Sequence, residues 1–183
     1  MRKYIKGIIF TIAILLLLLF FGYYIGYSYE TRRITLPKSH VFVCDNPKHL
    51  SDFDTWLKED CNITWVPSYI VIKDGYVIGA FDGCIPLSEF DSQLGTALAL
   101  SIPVLKLPDY YIYDLDNSPH KVSDKFSNGF YILEIVWADC KDCIYQDEHY
   151  TNDIYKKYSN GIIYRYYIKT DKEQVNNLYS SKQ

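Results

Sequence analysis

The spacing of apolar residues changes period several times along this chain, and each change predicts an element. Residues 8–27, IIFTIAILLLLLFFGYYIGY, carry no charge, and about 20 such residues suffice to cross a ~30 Å hydrocarbon core as a helix. After a polar stretch at 31–40 that contains Pro37, Val41-Phe42-Val43-Cys44 predicts a short strand, closed by Asp45-Asn46-Pro47. Leu50, Phe53, Trp56, Leu57 and Cys61 lie at 3,4-spacing and predict an amphipathic helix over 49–60, with Ser51 or Asp52 near its start. Two β-rich runs within 63–83 are joined by Asp74-Gly75, a strong hairpin signal. Residues 87–100 predict a helix, 103–108 a linker, Tyr110–Tyr113 a strand ended by 114–119, and 121–127 a short helix or turn. Phe130-Tyr131-Ile132-Leu133-Glu134-Ile135-Val136, introduced by Asn128-Gly129, predicts a buried strand. Residues 145–158 return to helical spacing and end at Asn160-Gly161, a good C-cap. A strand at 162–168 and a helix at 171–179 complete the series.

Composition supports a folded chain: 49% of the 183 residues are apolar and 22% charged. A net charge of −3 with no basic face gives nucleic-acid binding no support. The 19 tyrosines are read mainly as packing and strand residues, with a carbohydrate- or peptide-binding surface as the alternative. Arg2, Lys3 and Lys6 precede the apolar run, while Arg32 and Arg33 follow it with Glu30. The positive-inside rule then favours an inside N-terminus and a C-terminal domain outside, with Tyr23, Tyr24, Tyr27 and Tyr29 as an aromatic belt. A cleaved signal peptide, with Gly26-Tyr27-Ser28 at the cut, is the alternative. The expected organisation is an anchor at 1–30, a linker at 31–40 and an extracytoplasmic domain at 41–183, in halves 41–102 and 108–183.

Five cysteines are present: Cys44, Cys61, Cys84, Cys140 and Cys143. Outside the cytoplasm thiols tend to oxidise, and an odd number leaves one without an intrachain partner. Cys140-Lys141-Asp142-Cys143 falls where a strand ends and a helix begins. There the unpaired N–H groups and the positive end of the helix dipole favour a thiolate, the attacking form in disulfide exchange. A second cysteine three residues on can resolve the mixed disulfide. Lys141 favours charge on the sulfur while Asp139 and Asp142 oppose it, so redox poise cannot be read from the pair. Cys44, Cys61 and Cys84 are expected to be small buried apolar residues or a structural disulfide. A zinc site would need two more ligands, and no second C-x-x-C or H-x₃₋₅-H occurs, so no metal and no organic cofactor is expected. His40, His49, His120 and His149 show no ligand spacing and are expected at the surface.

This strand, turn, C-x-x-C and helix resemble the active-site segment of the thioredoxin superfamily. Members often carry an acid on the strand six residues before the first cysteine, and here that position is Glu134. Two departures stand out: Asp139 replaces the usual aromatic residue, with Trp137 displaced from it, and the intervening pair is Lys-Asp. The segment 63–83 resembles the family's proline loop and hairpin. By that resemblance Pro67 would follow a cis peptide and face the cysteines, and Val66 would offer its backbone to a substrate strand. Cys140 would be the nucleophile and Cys143 the resolving thiol. Glu134, if buried beneath them, could take the proton from Cys143 as it attacks. Trp137 is either core or a substrate contact.

The family places its C-x-x-C before the proline loop; here Pro67 comes first. The resemblance therefore implies an α/β fold of thioredoxin-like type, three layers α/β/α around a mixed central sheet. It would be a circular permutant or two incomplete units, after one transmembrane helix. Both Val41–Cys44 and Ile162–Ile168 compete for the same strand position. The expected activity is a membrane-anchored extracytoplasmic thiol–disulfide oxidoreductase. It would act on cysteines of exported proteins or peptides and need a redox partner to recycle it. The alternative is a non-catalytic binding or accessory module of a membrane or export complex.

Overall fold

The computed structural model describes Ile14, Leu16 and residues 36–43, 51–158, 161–170 and 172–180. The expected anchor at 8–27, its tyrosine belt, Cys44 and His49 lie outside these residues, apart from Ile14 and Leu16, which are helical and exposed. Among the described residues no helix is long and apolar enough to cross a membrane. Residues 34–183 form one compact unit.

The described part is mixed α/β, with eight strands in one mixed sheet and six α-helices. The strands are β1 (Val41–Val43), β2 (Ser68–Lys73), β3 (Tyr76–Asp82), β4 (Leu105–Lys106), β5 (Tyr111–Asp114), β6 (Pro119–Lys121), β7 (Phe130–Val136) and β8 (Ile163–Tyr167). The helices are α1 (Asp52–Glu59), α2 (Leu87–Leu100), α3 (Val122–Lys125), α4 (Lys141–His149), α5 (Thr151–Tyr158) and α6 (Lys172–Ser180). The sheet runs β4-β3-β2-β7-β8-β1-β5-β6. Strand β7 lies inside it, antiparallel to β2 and parallel to β8. The two expected halves thus share a single sheet, joined along β2 and β7.

The competition between the two candidate strands resolves in the same sheet. Strands β8 and β1 lie side by side and parallel, with Phe42 opposite Tyr166, and only β8 touches β7.

Alternation along the strands builds two cores. Tyr69, Val71, Ile132, Val136, Ile163 and Tyr167 join residues of α2, α4, α5 and α6 in one. Ile70, Ile72, Leu133, Ile135 and Tyr166 join Phe53, Trp56 and Leu57 of α1 in the other. Each large apolar side chain so buried contributes about 1.5–3 kcal/mol. At the β2–β3 turn, Asp74 (φ 50°) and Gly75 (φ 82°) supply the two positive φ angles of a type I′ hairpin. Helix α1 starts at a capping box: Ser51 Oγ accepts from Asp54 N at 3.0 Å, and Asp54 Oδ2 accepts from Ser51 N at 3.3 Å.

Five expectations change. The stretch 103–108 is not only a linker, because Leu105–Lys106 pairs with β3 at the sheet edge. Pro119–Lys121 pairs with β5 where only a turn was expected. The single helix expected over 145–158 begins earlier, at Lys141, and breaks at Tyr150 (φ −126°) into α4 and α5. Apolar spacing runs straight across that break, so periodicity could not reveal it. Part of the expected linker packs on the domain: Leu36 is buried, and the His40 ring stacks on Tyr164 at 4.3 Å. His120 is also half-buried, 2.9 Å from Asp114.

Candidate functional site

Three loops converge at the end of the β2–β7 pair. The first is Trp65-Val66-Pro67, ahead of β2. Ser68 pins it: its hydroxyl lies 2.5 Å from Trp65 O and 2.7 Å from Asp82 Oδ1, its one proton shared between the two acceptors. The Val66–Pro67 peptide is cis, and Pro67 O accepts from Gly83 N at 2.8 Å. The second loop, Gly83-Cys84-Ile85, is thereby held beside the first. The third carries the C-x-x-C. Cys140 N donates to Trp137 O at 3.1 Å, which closes the turn out of β7 and delivers Cys140 to the N-cap of α4.

Cys140 Sγ sits between two backbone groups. Its thiol donates to Val66 O at 3.4 Å, and its sulfur accepts from Cys143 N at 3.3 Å. Cys140 is half-buried, whereas Cys143 lies behind it in the core, 6% exposed. Burial pushes the Cys143 thiol far up. The hydrogen bond with Cys140 and the charges of Cys140 and Glu134 add to this, and a backbone hydrogen bond with Trp137 offsets part of it. An open groove of about 580 Å³ is lined by Trp65, Val66, Pro67, Asp82, Gly83, Cys84, Asp142 and Tyr145; neither Cys140 nor Cys143 lines it, but Cys140 touches it through Val66 O.

Glu134 is fully buried on β7, on the face that carries Cys143, but it is not a free acid. It stands in register between Tyr69 of β2 and Arg165 of β8. Its oxygens accept from Tyr69 Oη (3.2 Å), Tyr155 Oη (2.6 Å) and Arg165 Nε (2.8 Å). Arg165 reaches on to Asp147 of α4 with a bidentate pair at 2.6 and 3.0 Å. The guanidinium therefore ties the dithiol helix to the two strands beneath it. The expected role for Glu134, a proton acceptor waiting under the sulfurs, meets a carboxylate that already accepts three hydrogen bonds.

The structure brings Cys140, Cys143, Val66 and Pro67 together as named from the sequence. Trp137 does not line the groove; it stands at the exit of β7, with the Lys169 ammonium 5.9 Å from its ring centre. Trp65, 74% exposed, lines the groove instead. Sequence reasoning missed Trp65, Tyr145, Arg165 and Cys84. Trp65 directly precedes Val66-Pro67, a usable signal; Arg165, inside the apolar run IIYRYYI, was another.

Neither Cys61 nor Cys84 forms a disulfide, and Cys140 and Cys143 are free thiols. Cys61 is pushed up to about 12 by burial and by Asp60. Among the described residues no group of three or more His, Cys, Asp or Glu side chains could hold a metal ion.

Compared with known proteins, the chain matches no family model, no curated protein and no solved structure.

Proposed function

We propose that this protein is a thioredoxin-like thiol–disulfide oxidoreductase, anchored by residues 8–27 with residues 41–183 outside the membrane. The observation that carries the reading is the placement of Cys140. One sulfur at a helix N-cap touches the backbone of a proline loop far away in sequence, and that loop lines a groove, with a second sulfur buried behind the first. A permuted thioredoxin-like sheet is supported by the pairing of β2 with β7, which sets the hairpin half beside the C-x-x-C half.

The chemistry follows from those contacts. Cys140, as thiolate, attacks one sulfur of a substrate disulfide; the substrate S–S bond breaks, and its other sulfur leaves as a thiolate and takes a proton. Losing its own proton ends the Cys140 donation to Val66 O, which frees that carbonyl to accept an N–H from a substrate strand laid in the groove. The mixed disulfide is then resolved when Cys143, as thiolate, attacks Cys140 Sγ. A Cys140–Cys143 bond forms and the second substrate sulfur departs reduced. The negative end of Glu134 opposes charge on Cys143, so its part is to position α4 through Arg165 and Asp147 and not to act as a free base. The substrates are cysteine-bearing exported proteins or peptides, and a redox partner restores the pair.

The test is trapping. The full-length protein carrying Cys143→Ser, alone and together with Cys84→Ser, is produced in cells, and disulfide-linked adducts of Cys140 are isolated. Adducts with exported proteins, absent from Cys140→Ser, are the expected result. No adduct, together with a Cys140–Cys143 pair that dithiothreitol cannot open and oxidised glutathione cannot reform, would reduce the domain to a tethered binding module.

A further inference from the structure

A third thiol faces the same helix. Cys84 Sγ donates to Asp142 O at 2.7 Å, and Cys140 Sγ accepts from Cys143 N at 3.3 Å. The carbonyl and the N–H belong to one peptide unit, so the two sulfurs flank it and lie within about 8 Å of each other. Cys84 is held there by its neighbour. Ile85 N donates to Gln146 Oε1 at 2.9 Å, and Gln146 Nε2 donates back to Ile85 O at 3.3 Å. Gln146 is fully buried on α4, so the loop bearing Cys84 is fastened to the helix bearing the other two cysteines. Cys84 also lines the groove beside Val66 and Pro67, which places it on the side where a substrate would lie. Cys143 does not line it.

We propose that Cys84 is a second resolving thiol for Cys140. This rests on the oxidoreductase reading above. In a mixed disulfide between Cys140 and substrate, the Cys84 thiolate attacks Cys140 Sγ. The Cys84–Cys140 bond forms, the Cys140–substrate bond breaks, and the substrate sulfur leaves as a thiolate and is protonated by water. Cys84 and Cys140 are oxidised together by two electrons and the substrate sulfur is reduced, so no further reactant is needed. Cys84 is half-exposed at the groove and Cys143 is enclosed in the core. The rise imposed on the Cys84 thiol, by burial and then by Asp142 and Cys140, is smaller than that on Cys143. Cys84 then bypasses the buried thiol and leaves an oxidised pair with one sulfur, that of Cys84, on the groove and accessible to a recycling partner.

The experiment uses full-length protein with oxidised glutathione as probe, and peptide mapping by mass spectrometry. Three proteins are compared: Cys143→Ser, Cys143→Ala (which leaves no buried hydroxyl) and Cys84→Ser/Cys143→Ser. The expected result is a Cys84–Cys140 disulfide in both single variants, and several-fold more glutathionylated Cys140 in the double variant. Equal glutathionylation of Cys140 in single and double variants, with no Cys84–Cys140 peptide, overturns the role of Cys84 alone. No adduct on Cys140 even in the double variant overturns the oxidoreductase reading, and this inference with it.

Discussion

The thiol of Cys140 lies 3.4 Å from the carbonyl oxygen of Val66, across 74 positions of sequence. That contact joins the two halves of the chain at the place where the chemistry is proposed. The proposed nucleophile is also separable from the fold. Cys140→Ser should abolish reduction of a disulfide-linked reporter peptide, bringing the rate to background. Serine is itself a good N-cap and can accept from Cys143 N, so the melting temperature should move by less than about 4 °C, the shift expected of roughly 1 kcal/mol in a domain of this size. A variant that loses activity and melts much earlier would mean that the sulfur is structural.

The Arg165 guanidinium is shared between Glu134 and Asp147, and Arg165 and Glu134 are almost wholly buried. Arg165→Met would leave two carboxylates facing each other without their counter-ion. It should destabilise the protein by about 3–5 kcal/mol, read as a lower urea midpoint with little change in slope. Glu134→Gln removes one charge and leaves the Arg165–Asp147 pair intact, so its loss should be clearly smaller. The reverse ranking would show that Asp147 does not hold the helix through this arginine.

Where Gly79 of β3 faces Ala97 of α2, an added Cβ would come within 2.7 Å of the Ala97 Cβ. Gly79→Ala should therefore push α2 from the sheet at a cost of about 1–3 kcal/mol. Pairing it with Ala97→Gly should return part of that loss in chemical denaturation, beyond the cost of a helical glycine on its own. Strictly additive effects in the two variants would show that the close approach does not limit packing.

Burial raises the thiols of Cys61 and Cys143 and the phenols of Tyr69 and Tyr155 above their usual values. Each holds its proton more tightly folded than unfolded. The resulting stability is fully present below the unfolded value, near 9 for cysteine and 10 for tyrosine. It is lost as pH rises through the folded value, which for Cys61 is about 12. The melting temperature should fall steadily from pH 9 upward, and less steeply in Cys61→Ala. At pH 8, iodoacetamide should modify Cys143 far more slowly in the native protein than in urea, because only the thiolate reacts. Equal rates would mean that the core opens freely around this sulfur.

Trp65 is 74% exposed and lines the groove. Trp65→Ala should leave stability within about 0.5 kcal/mol, as for an ordinary surface site. It should raise KM for a disulfide-bonded peptide more than it lowers kcat. Trp137→Ala, at a residue outside that groove, should change KM less.

Several elements were legible because their signals are local. Asp74-Gly75 announces its turn through the φ angles it can adopt, and Ser51 with Asp54 announces a helix start through hydrogen bonds three residues apart. The apolar run at Phe130–Val136 announces a strand buried on both faces, and the cysteine pair announces itself by spacing. Strands β4 and β6 were not legible. They are two and three residues long, and pairing partners, not propensity, hold them in the sheet. The break at Tyr150 was hidden because apolar spacing continues through it.

By itself the sequence determined the local elements, the C-x-x-C at a strand–helix junction, and a proline loop ahead of a hairpin. Periodicity, turn chemistry and residue spacing act over a few positions and need no partner. Only the tertiary structure decided that β2 and β7 pair and that Val66 meets Cys140. It also set Glu134 against Arg165 and Cys84 on the groove beside Val66 and Pro67. Those contacts depend on which distant segments share a sheet, and the free energy that selects that pairing is distributed over two cores and not written in any one stretch of chain.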